Sequence, residues 1–203
     1  VWQNDFTLWF DTAEALPESH RVHFNLGQAY YKLNLLDEAI AEYNKSLQLL
    51  PSSFDYEVLV AAGHTYLKKG LIDAAIKAFK MAVTISPEKV TAYDSLAIAY
   101  GEKGDYEEAI RLSIEVLEKE PGRIPTLYFL AINYAKAGLV DEAIDAYEEY
   151  LKLDPYYASS YVDLGHLYYK KSDYQKAKSC WLKALDMFKD YQPAKDALKL
   201  LED

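Results

Sequence analysis

The prolines of this 203-residue chain fall at a near-constant interval. Pro17, Pro51, Pro87, Pro121 and Pro155 are separated by 34, 36, 34 and 34 residues. A stack of like units needs such a ruler, because each unit can bury its apolar face only against its neighbours. Aligned on the prolines, the segments share columns. A small column reads Gly27, Gly63, Ala97, Ala131 and Gly165, and three residues later every copy has tyrosine: Tyr30, Tyr66, Tyr100, Tyr134 and Tyr168. Another column is alanine throughout (Ala39, Ala75, Ala109, Ala143, Ala177), and four residues beyond it stand Tyr43, Phe79, Ser113, Tyr147 and Trp181.

Each column has a physical reading. Small residues on facing helices let backbones approach, and the large aromatics are expected to fill the space between one pair and the next. Asn34, Gly70, Gly104, Gly138 and Ser172 lie between the two halves of each copy, where a left-handed residue ends a helix. Asp37, Asp73, Glu107 and Asp141 follow, suited to a helix N-terminus, and the proline stops the second helix. Every unit therefore reads helix, turn, helix. The pattern resembles the tetratricopeptide repeat (TPR) family over nearly the whole chain. Full units fall at 20–53, 56–89, 90–123, 124–157 and 158–191, with Phe54 and Asp55 as an insertion. Residues 1–19 read as the second helix of a partial unit, and 192–203 as a C-terminal capping helix. The resemblance implies an all-α, right-handed superhelical solenoid of antiparallel helix pairs, one array and not two domains.

Composition narrows the function. A net charge of -10, from 32 acidic and 22 basic residues, is ill suited to nucleic acid. The one cysteine, Cys180, permits no intramolecular disulfide and no cysteine-based zinc site. No apolar run is long enough for a membrane span and no signal peptide is visible. A start at Val1 instead of Met suggests a fragment or a processed product. His20 and His23 could share a helix face, and His64 and His166 share a column three units apart, but neither pair has a zinc pattern around it. No phosphate loop or nucleophile elbow is present, so the expectation is a chain that is not an enzyme, with no cofactor and no metal.

In the architecture that the resemblance implies, the first helix of each unit lines the concave face. Register then exposes Arg21, Phe24, Gln28 and Tyr31 in the first unit, and Val60, His64 and Leu67 in the second. The third offers Asp94 and Ile98, the fourth Tyr128 and Ile132, the fifth Val162, His166 and Tyr169. This stripe is more apolar than solvation requires, which marks a groove for a peptide or a helix. Two known TPR grooves do not match. The clamp for acidic chaperone C-termini would need Lys, Asn and Arg where this chain has Phe24, Gln28, Ala61, Thr91 and Ser95. The asparagine ladder of nucleocytoplasmic N-acetylglucosaminyltransferases would fall on Asn25, Ala61, Ser95, Phe129 and Asp163.

The expected partner is a protein or peptide held by a non-catalytic scaffold. Two alternatives stand beside it. Trp2 to Asp5, Thr7 to Trp9, Pro17 and Arg21 to Gly27 resemble the junction into the C-terminal TPR tail of polytopic membrane glycosyltransferase-like proteins. That resemblance implies the extramembrane accessory domain of a membrane protein. The partial unit could also expose Trp2, Phe6 and Trp9 for end-to-end self-association.

Overall fold

The computed structural model describes residues 2–49 and 55–201, and the side chains of 6–49 and 56–201. Pro51 and Phe54 lie outside them. Twelve helices follow one another, with no strand among the described residues: α1 (Trp2–Ala15), α2 (His20–Lys32), α3 (Leu36–Leu49), α4 (Asp55–Lys68), α5 (Ile72–Ile85), α6 (Val90–Lys103), α7 (Tyr106–Lys119), α8 (Ile124–Ala137), α9 (Val140–Leu153), α10 (Ala158–Lys170), α11 (Tyr174–Met187) and α12 (Gln192–Lys199). The helices group into two compact units, 1–105 and 106–203. In the first, α2 pairs with α3 and α4 with α5; in the second, α8 pairs with α9 and α10 with α11.

The turns are built as the columns require. Asn34, Gly70, Gly104, Gly138 and Ser172 all have positive φ, between 62° and 87°. The left-handed residue swings the chain back so that the next amide caps the preceding helix. Leu35, Leu71, Asp105, Leu139 and Asp173 donate to the carbonyls of Tyr30, Tyr66, Tyr100, Tyr134 and Tyr168, at 2.8–3.0 Å. The tyrosine column is therefore also the position that receives the cap. Acidic residues open α3, α5, α7 and α9, and lysines close α2, α4, α6, α8 and α10, as the helix dipole favours.

The packing differs from the expected small-against-small arrangement in one respect. The glycine column receives the aromatic ring of the second helix of its own unit. A Cβ on Gly27 would meet Tyr43 Cε1 at 2.7 Å, and one on Gly63 or Gly165 would run into Phe79 or Trp181. Tyr43, Phe79 and Trp181 are thereby buried, Tyr147 is buried in the copy that has Ala131, and the five alanines of the other column are sealed completely. Hence the small column and the aromatic column, sixteen residues apart, are two halves of one contact.

His23 is buried, and both of its ring nitrogens face acceptors. Nδ1 lies 2.5 Å from Glu42 Oε2 and Nε2 lies 2.9 Å from the Pro17 carbonyl. Both ring nitrogens are thus engaged, and the ring ties the turn before α2 to α3. It has no capacity left for a metal. Among the described residues no group of three or more His, Cys, Asp or Glu could hold a metal ion.

Candidate functional site on the first helices of the repeats

In the first unit, α2 and α4 enclose two cavities. One, of about 360 Å³, is lined by His20, Arg21, Phe24, Asn25, Glu57 and Val58. The other, of about 340 Å³, is lined by Gln28, Tyr31, Lys32, Tyr43, Ala61 and His64. Helical spacing explains the division: Arg21 and Phe24 share one turn, Gln28 and Tyr31 the next. Phe24 leans on Tyr43 with ring centroids 6.0 Å apart, and the Lys68 ammonium sits 4.6 Å over the Tyr31 ring. His64 is half-buried, and burial lowers its pKa. The Ser95 hydroxyl donates to the Thr91 carbonyl at 3.0 Å, so it accepts from His64 Nε2 at 3.2 Å. The neutral ring then keeps Nδ1 as an acceptor. Val60, Leu67, Asp94 and Ile98 are half-buried but line neither cavity.

In the second unit, Tyr128 of α8 is the centre of an aromatic cluster. Its ring lies 5.6 Å from Phe129, 5.3 Å from Tyr150 and 5.5 Å from Tyr157, the last edge to face. Burial, with Tyr157 and the Asp163 charge beside it, pushes the Tyr128 phenol up to about 12. The buried Tyr147 donates to Asp163 Oδ2 at 3.3 Å. Burial raises the Asp163 carboxyl above the usual aspartate value, against the opposing effects of the Tyr147 bond and nearby His166. Ile132 is half-buried and His166 is exposed, with its ring 5.4 Å from Trp181.

Val162 corrects the sequence expectation. It is only 5% exposed and packs into the core of the second unit, where its carbonyl accepts from Trp181 Nε1. The groove position next to it is Asp163, half-buried on the same helix. Tyr169 belongs elsewhere: its hydroxyl donates to the Leu200 carbonyl, and it lines a cavity of about 470 Å³ with Tyr174, Gln175, Lys178, Leu200 and Leu201. The expected end surface is partly occupied. Phe6 packs against Tyr30 at 5.1 Å and Trp9 is half-buried, whereas Leu8 is 57% exposed; the Trp2 side chain lies outside the described residues. Sequence reasoning missed His20, Lys32 and Val58 as lining residues, and Tyr150 and Tyr157 as members of the cluster.

Sequence models of the tetratricopeptide repeat match residues 20–53, 56–89, 95–158 and 158–191. The chain belongs to the tetratricopeptide repeat family. Among solved TPR structures, YrrB, described as a TPR protein with an unusual peptide-binding site, superposes with a TM-score of 0.75 at 23% identity, over 94% of this chain and 97% of YrrB. MamA superposes with a TM-score of 0.76 at 26% identity, over 87% of this chain and 97% of MamA. The BBSome complex member BBS4 of Bos taurus is 34% identical over 85 residues, 42% of this chain. The FK506-binding protein 5 of Rhizopus delemar is 29% identical over 107 residues, 45% of this chain. The matched stretches span only 16% and 28% of those two relatives. Family and fold are those of a protein-interaction scaffold.

Proposed function

We propose that this TPR chain is a non-catalytic scaffold that seats a peptide or a short helix on the face made by the first helices of its repeats. One observation carries the reading: two cavities side by side along α2 and α4 are lined by Arg21, Phe24, Gln28, Tyr31 and His64. Their mixture of rings, aliphatic floor and a few polar heads suits an amphipathic ligand. Within the second unit, Tyr128 and its cluster offer like chemistry on α8.

The test is selection from a displayed random-peptide library, with the native chain and the Phe24→Ala, Tyr128→Ala chain as parallel baits. Circular dichroism checks that both baits keep their helix content. Peptides retained by the first bait and lost by the second support the reading. Equal retention by both baits, or none by either, sinks it.

A further inference from the structure

Asp163 is an unusual residue to find between repeats. It is half-buried in α10, faces Tyr147 of α9, and its charge is felt by Tyr128 of α8. A carboxylate has about four acceptor positions, and among the described residues the donor to it is the Tyr147 hydroxyl, on Oδ2, through a long 3.3 Å bond. One helical turn earlier on the same face, the Ser159 hydroxyl lies beside Tyr128 without a well-aligned hydrogen bond. Two acceptors thus stand under-used beside Tyr128, whose ring meets that of Tyr157 edge to face. A desolvated carboxylate is costly unless a cation meets it. Among the described residues no lysine or arginine is bonded or ion-paired to Asp163. His166, one turn on, is its nearest positively chargeable neighbour and is itself exposed.

We infer that Asp163, with Ser159 and the Tyr128 and Tyr157 rings, seats an arginine side chain of the bound peptide. A guanidinium suits the place better than an ammonium, because it offers a fork of donors to the carboxylate and a flat face to the rings. The inference rests on the proposed groove reading and specifies the ligand for one part of it.

Two probes test it. Acetyl-arginine amide and its neutral isostere, acetyl-citrulline amide, are titrated into the isotopically labelled full chain while backbone amide shifts are followed. The arginine probe should move signals in 126–134 and 157–166, and the citrulline probe should not. Asp163→Asn, which keeps an acceptor for Tyr147, should weaken arginine binding about tenfold or more. Equal shifts from both probes, or an unchanged affinity in Asp163→Asn, overturns the inference. Acetyl-lysine amide binding as tightly as the arginine probe overturns the choice of arginine. A library peptide that depends on Tyr128 but lacks arginine and ignores Asp163→Asn also overturns it, while leaving the groove reading in place. If no library peptide binds at all, the groove reading falls, and the arginine titration still decides the role of Asp163.

Discussion

Single residues hold this fold through close fits that leave no room for change. Gly165 lies under the Trp181 ring, which is fully buried. Gly165→Ala should cost about 1–3 kcal/mol by overpacking, and Trp181→Ala about 3–5 kcal/mol by leaving a cavity. Chemical denaturation measures both. Ser172 pays for its left-handed φ of 62°. Ser172→Gly should therefore raise stability by roughly 1 kcal/mol, and a loss of stability would contradict the strain argument. These positions were legible in the sequence because each recurs in a column. Val162 was not: its place in the helical register is next to the groove, and its burial in the core around Trp181 shows it turned inward. Asp163 was visible as the one carboxylate in a column of Asn25, Ala61, Ser95 and Phe129, but its burial depends on Tyr147 and Tyr128, which lie on two other helices.

At the scale of elements, pairs of helices are joined by two kinds of polar contact of unequal weight. Lys69–Asp37, Lys103–Asp73 and Lys171–Asp141 link successive repeats, and the three aspartates are largely solvated. Lys103→Ala should leave the melting temperature unchanged within error, since solvated pairs contribute little. The pair of buried His23 with half-buried Glu42 is the opposite case. His23→Leu leaves the Pro17 carbonyl and the half-buried Glu42 without their partner and should cost about 1–3 kcal/mol. Tyrosine burial adds a pH dependence. Burial pushes Tyr43 in α3 and Tyr150 in α9 up to about 12, from 10.0. The unfolded chain then loses these protons first, so their contribution is complete below pH 10 and declines as pH rises towards about 12. Tyrosinate absorbance and denaturant midpoints, followed together, should show stability falling across that window before the buried phenols ionise. The helix pairs themselves were readable from proline spacing, turn residues and acidic starts. Which ring meets which glycine was not, because the columns fix a repeat but not the direction in which its side chains insert.

Across the whole molecule, stability is expected to be a sum of repeat and neighbour terms. The repeat at 90–123 contributes α6 to one compact unit and α7 to the other, so the two units share one sequence repeat. We take residues 1–203 as a single array on that ground, which predicts one thermal unfolding transition; two well-separated transitions would refute it. The central claim concerns where a ligand sits, and amide-shift mapping with a library-selected peptide addresses it most directly. The account predicts shifts concentrated in the first helices: α2 and α4 around Phe24 and Tyr31 in one unit, and α8 and α10 around Tyr128 and Asp163 in the other. Shifts concentrated instead on α3, α5, α9 and α11, or on the α12 end, would contradict it.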